Sequence, residues 1–152
     1  MMKNIPLLLV GLFFLAHCSG KPPANIGLMA GGELHPCPQS PNCVSSQSAD
    51  KEHYIEPIHY EVSLTEARQK LVRMIRQQQR SLIITNEETY IHAEFRSAVF
   101  RFVDDVEFYI DDAAKVIHCR SASRTGHSDF GVNRKRLERL SSAFKQAVNS
   151  GR

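Results

Sequence analysis

Two stretches of the chain carry apolar residues at a helical period, and between them the pattern changes to alternation, so most of a fold can be laid out from polarity alone. From Leu64 to about Gln79, the residues Leu64, Ala67, Leu71, Met74 and Ile75 fall on one helix face. Ser63, followed three residues later by Glu66, has the form of a capping box, so the helix is expected to begin there. Its far end, Gln77-Gln78-Gln79-Arg80, reads as solvated. A second helix is expected near the C-terminus, capped by Asn133, with Leu137, Leu140, Phe144 and Val148 turned inward.

The strands are read from period-two patterning. Tyr54 to Val62 has strand composition, but Pro57 confines it to an edge or a strand start. Ser81 to Thr85 contains the unbroken run Leu82-Ile83-Ile84 and reads as an interior strand. Tyr90 to Ser97 places Ile91, Ala93 and Phe95 on one face and His92, Glu94 and Arg96 on the other. Phe100 to Ile110 groups Phe100, Phe102, Val106, Phe108 and Ile110, with Asp104 on that apolar face and Arg101, Asp105, Glu107 and Tyr109 opposite. A turn at residues 111–115 returns the chain as Lys115 to Ser123. Links of roughly two to six residues favour antiparallel neighbours, because a parallel pair needs a long crossover. The expected fold is therefore α+β: an antiparallel meander sheet of about five strands with two amphipathic helices packed on one face, in the order β-α-β-β-β-β-α. The other sheet face is left to water or to a ligand.

The N-terminal region follows different rules. Lys3 precedes an apolar run from Ile5 to Ala16, about the length of a signal-peptide core and too short to span a bilayer, which takes roughly 20 residues. Leu15-Ala16-His17-Cys18 resembles the bacterial lipobox, which implies diacylation of the Cys18 thiol, with palmitate among the acyl chains, and makes Cys18 the new N-terminus. His17 stands where small residues are usual, so ordinary signal-peptidase cleavage to a secreted protein is the alternative. Ser19 resembles the outer-membrane sorting pattern, so the expected location is the cell envelope, on the outer membrane facing the periplasm. The chain then divides into a signal peptide at 1–17, a lipid-anchored tether with a cysteine loop at 18–50, and one globular domain at 51–152. The tether region is rich in glycine, proline, serine and asparagine and shows no sustained period.

Composition narrows the function classes. The chain has 152 residues and 42% apolar content, one domain's worth of ordinary globular sequence. Without residues 1–17 it carries 18 basic and 16 acidic groups in mixed-sign runs, which does not make a phosphate-tracking surface, so nucleic acid is excluded as a partner class. Export to an oxidising compartment favours pairing of Cys37 with Cys43 across a short, proline-stiffened loop. Cys119, inside an apolar strand, is expected to be a buried thiol. Two cysteines with His35 at irregular spacing make a poor metal set, and no metal or cofactor is expected.

Two groups of residues carry candidate chemistry. His92 and Glu94 share a sheet face with Arg96, and a histidine beside a carboxylate can act as a general base; the alternative is a solvated face with cross-strand ion pairs to Glu107 or Arg120. Asp104 is expected to pair with an arginine. The second group, Arg120, Ser121, Ser123, Arg124, Asn133 and Arg134, spans a strand end, a loop and a helix start, where backbone amides favour anions. Its arginines could recognise a carboxylate, phosphate or sulfate, or could tie the loop to Asp104 and Glu107. No nucleophile elbow, phosphate-binding glycine loop or dinucleotide fingerprint occurs.

Pro41-Asn42-Cys43-Val44-Ser45-Ser46, Tyr90-Ile91-His92-Ala93-Glu94-Phe95, Phe102-Val103-Asp104-Asp105-Val106-Glu107-Phe108, Arg120-Ser121-Ala122-Ser123-Arg124 and Ser128-Asp129-Phe130-Gly131-Val132-Asn133-Arg134 together resemble the bacterial family known as domain of unknown function 1499. The resemblance runs from about Cys37 to the C-terminus and implies no reaction, cofactor or catalytic residue. The residues favour a non-catalytic envelope module that binds a partner protein or a small anionic ligand, held to the membrane by its lipid. A hydrolase or transferase using His92 with Glu94, and a structural assembly protein, are the alternatives.

Overall fold

The computed structural model describes residues 23–149, so the signal segment, Cys18 and the first tether residues lie outside the described part. Eight elements follow in order: β1 (Cys43–Ser45), β2 (Ile58–His59), α1 (Leu64–Gln77), β3 (Ser81–Asn86), β4 (Tyr90–Arg96), β5 (Val103–Asp111), β6 (Val116–Ser123) and α2 (Val132–Asn149). Strands β3 to β6 form the expected antiparallel meander, and the sheet order is β1-β6-β5-β4-β3. β1 and β2 lie along the same outer edge of β6, β1 against residues 120–122 and β2 against residues 116–117. Among the described residues no helix is long and apolar enough to cross a membrane.

The core forms between the helices and one sheet face. Leu71 and Ile75 of α1 and Leu137, Leu140 and Phe144 of α2 pack against Ile91, Ala93, Val106, Phe108 and Ile117. Each such large side chain contributes on the order of 1.5–3 kcal/mol when fully withdrawn from water. Ser63 caps α1 by accepting the Glu66 amide at 3.2 Å. Cys119 is 1% exposed, and burial pushes its thiol up to about 12, with a hydrogen bond from Ser46 acting the other way, so it is a thiol at neutral pH.

Four expectations are corrected. β3 is an edge strand, not an interior one: Leu82 and Ile84 point away from the helices and are about half exposed, while the alternate residues face inward. β5 begins at Val103 because the chain loops through residues 97–102, closed by the Ser97 amide on the Phe102 carbonyl, which leaves Phe100 and Phe102 outside the strand. Asn133 does not cap α2. Asp129 holds that end, its carboxylate accepting the amides of Gly131 and Asn133, and Asn133 lies within the first helical turn.

The fourth correction concerns residues 23–50, expected as a tether ahead of the domain. They belong to the fold. Cys43, Val44 and Ser45 are buried in β1, and Cys37 and Cys43 form a disulfide with Cα atoms 5.6 Å apart. Upstream, the chain makes a strap across the sheet face that was expected to be open. Gly27 donates its amide to Glu107 Oε1 at 2.8 Å, Leu28 bridges Leu34, and Leu34, 3% exposed, donates its amide to Gln47. Gly32, at φ +81°, crosses so close to Tyr109 that a Cβ there would sit 2.8 Å from the phenol oxygen. A three-residue strand and a glycine-bearing strap leave no periodic trace, which is why polarity alone does not find them.

Candidate functional site

Strand alternation places His92, Glu94 and Arg96 of β4 on the second sheet face with Asp105 and Glu107 of β5 and Arg120 of β6. The face is polar, yet all of these except Arg96 are buried. His92 Nε2 lies 2.8 Å from Asp105 Oδ1. Arg124, at the end of β6, reaches over both carboxylates: its Nε and Nη2 donate to Asp105 at 2.7 Å each, and Nη2 also donates to Glu94 Oε1. Arg96 takes the other Glu94 oxygen at 3.0 Å.

Beside this cluster, Arg120 Nη1 donates to Glu107 Oε2 at 2.8 Å with both groups sealed from solvent, and Tyr90 donates its hydroxyl to Glu107 Oε1 at 2.7 Å. Burial would raise the Asp105 carboxyl, but hydrogen bonds from Arg124 and His92 outweigh it and hold the group below the ordinary carboxylate range. Tyr90 is pushed upward by burial and then by the Glu107 charge, so it stays a hydrogen-bond donor.

The rest of the arginine segment lies on the helix side. Ser123 donates to Asp104, and Arg136 of α2 donates to the other Asp104 oxygen, both at 2.6 Å. The expected arginine partner of Asp104 therefore exists, supplied by α2. Ser121 donates to the Asn133 side-chain oxygen, while the Asn133 amide donates to the Asn42 carbonyl at 3.1 Å and to the Ser123 hydroxyl at 3.0 Å. Arg134 binds the carbonyls of Tyr54 and Glu52 at 2.7 and 2.8 Å. The six residues expected as ligand contacts thus split between two faces of the sheet, and each bonds to other parts of the same chain.

What this arrangement can do chemically follows from the same register. A base needs its nucleophile at about 3 Å. Cys119, Ser121 and Ser123 alternate onto the helix face, with the sheet between them and His92. Ser45 shares the His92 face, but the row His92, Glu107, Arg120, Ser45 crosses four strands, which sets it roughly 14 Å away. Asp105, which holds His92, is placed by the sequence on the polar face of its strand with Glu107 but not paired with His92; the register between β4 and β5 was needed for that. Arg136 carried no signal, since it looked like an ordinary helix charge.

Two surface features lie outside the charged clusters. A cleft of about 440 Å³ opens between the strap and the 47–53 loop, lined by Met29, Leu34, Pro36 and the Cys37 disulfide, with Glu33, Asp50 and His53 among its polar lining, His53 lying 3.9 Å from Asp50, and no lysine or arginine among the described residues that line it. At the sheet end where β4 and β6 finish, Val99, Phe100 and Phe130 are 79, 72 and 88% exposed.

A family model described as a protein of unknown function, DUF1499, matches residues 33–144 of the chain. No curated protein matches, and no solved structure matches.

Proposed function

We propose, for a chain that belongs to the DUF1499 family of proteins of unknown function, a non-catalytic binding module held in the bacterial cell envelope by acylated Cys18, on the outer membrane and facing the periplasm. The observation that carries the binding reading is the cleft beside the Cys37–Cys43 disulfide, whose volume falls within the usual range of small-ligand sites. Arg120, Arg124 and Arg134 already hold carboxylates or carbonyls of their own chain, which weighs against a small anion at that segment. The cleft offers the opposite chemistry. A largely apolar lining that carries Glu33 and Asp50 suits a ligand or partner segment bearing an amine on an apolar body. The disulfide fits an oxidising compartment, and the apolar run from Ile5 to Ala16 just ahead of Cys18 supports the anchor.

Cys119, Ser121 and Ser123 lie across the sheet from His92 and Ser45 lies three strand spacings away, which supports a non-catalytic role over a hydrolase or transferase that would pair His92 with one of them. The test is a thermal-shift series with hydrophobic amines and their matched carboxylates. The amines should raise the melting temperature and the carboxylates should not. In Glu33→Gln/Asp50→Asn the apparent amine affinity should fall at least roughly tenfold, the equivalent of one lost charge contact of about 1.4 kcal/mol. The asparagine retains an oxygen for the Glu52 amide that Asp50 accepts, so the loop should survive the change. A response to carboxylates alone, or an amine response unchanged in the double variant, would overturn the assignment.

A further inference from the structure

The β4–β5 loop, residues 97–102, and the segment from 124 to 132 leave the sheet at the same end, joined by the Arg124 amide on the Val103 carbonyl at 3.0 Å. Together they expose Val99, Phe100, Phe102, Phe130 and Val132, with Phe100 and Phe102 stacked at 5.5 Å. Exposing this many large apolar side chains to water is costly unless something covers them.

Charge at this end is one-sided. Asp129 is the acid within the two segments, and its oxygens accept the amides of Gly131 and Asn133. The nearby strand carboxylates are neutralised in the interior: Glu94 and Asp105 by Arg124, and Asp104 by Arg136. The exposed ionisable side chains in or directly following these two segments are Arg101, His127 and Lys135, with the exposed Glu138 one helical turn beyond Lys135.

We infer that this end of the domain is a lipid-contact tip, its aromatics entering the interfacial layer of an anionic bilayer while Arg101 and Lys135 meet the headgroups. Two properties favour a bilayer over a protein surface. Side chains 72 to 88% exposed stand clear of their own fold, so a rigid partner would need a separate pit for each. A fluid interface closes around them without one. The basic rim complements anionic lipid, whose attraction acts within a Debye length of the surface.

The chain contains no tryptophan, so one introduced tryptophan reports alone. The purified mature protein carrying Phe100→Trp should shift its emission to the blue on vesicles of phosphatidylethanolamine with phosphatidylglycerol, and bromine-substituted acyl chains should quench it. Ala113→Trp, exposed in the β5–β6 turn at the opposite end of the sheet, should do neither, which separates tip contact from anchoring. Phe130→Trp repeats the test from the second loop. Phe100→Ser with Phe130→Ser should reduce blue-shift-competent binding, read from Phe102→Trp, by at least roughly tenfold. Equal behaviour of the position 100 and 113 probes overturns the inference. So does a blue shift that appears without vesicles and grows with protein concentration, which would assign the tip to a second copy of the chain. Success or failure here is independent of the amine response of the cleft.

Discussion

Arg124→Ala is expected to destabilise the domain by about 3–5 kcal/mol, because it removes the shared partner of two buried carboxylates. The side chain is 3% exposed and bridges Glu94 and Asp105, so truncation leaves Asp105 with His92 and Glu94 with Arg96 alone. For a domain of ordinary stability, about 5–15 kcal/mol in all, that is a large fraction. It should lower the melting temperature by roughly 10–20 °C. Arg124→Lys keeps the charge but not the planar fork and should fall between the two. Urea unfolding of the three proteins checks the order. The pH dependence gives a second reading. The folded-state Asp105 carboxyl is depressed, so its stabilising contribution is fully present above the unfolded value, near 4, and is lost as the pH falls through the lower folded value. A loss in Arg124→Ala of less than about 1 kcal/mol would mean that the network adds no more than a surface ion pair.

Cys18→Ser is expected to move the protein wholly from the membrane fraction to the soluble fraction and to abolish incorporation of labelled palmitate. Each buried methylene adds about 0.8 kcal/mol of membrane affinity, so several acyl chains hold a protein effectively permanently and their loss is all-or-none in fractionation. The aromatic tip alone supplies far less and should leave at most weak, salt-sensitive association. Palmitate entering the variant as strongly as the native chain would remove the anchor from the proposal.

The central architecture was legible because it rests on long periodic segments. Leu71, Met74 and Ile75 in α1 and the alternation from Tyr90 to Arg96 each repeat a signal over several turns or residue pairs; burial follows the stripe in α1, whereas in β4 it covers both faces and the alternation separates apolar from polar positions only. Placing His92 and Glu94 together needed parity alone. Their partners needed the register between strands, which loop length sets, and the loop at residues 97–102 is longer than the polarity pattern shows because Phe100 and Phe102 continue the apolar alternation into it. The same alternation concealed the exposed tip. Edge and interior strands also look alike when apolar residues run unbroken, as in Leu82-Ile83-Ile84, since position in the sheet is decided by which neighbour arrives on the far side. The arginine segment read as a binding surface because side chains that grip a carboxylate of their own fold are the same ones that would grip a ligand.

The strap has a consequence for the order of assembly. Gly27 and Glu107 meet across 80 positions of sequence, whereas the β4–β5 and β5–β6 hairpins close over short loops. Contacts of such different sequence separation do not form together: the hairpins can pair within microseconds, but the strap has no surface to lie on until β5 is in place beside its neighbours. The residues at the start of the described chain are thus made before the rest and seated after it. Under the proposed export, a chain threading out of a translocation channel from its N-terminus would hold this segment extended on the far side while the sheet assembles behind it, and Gly27 would close over Glu107 only after β5 is in place.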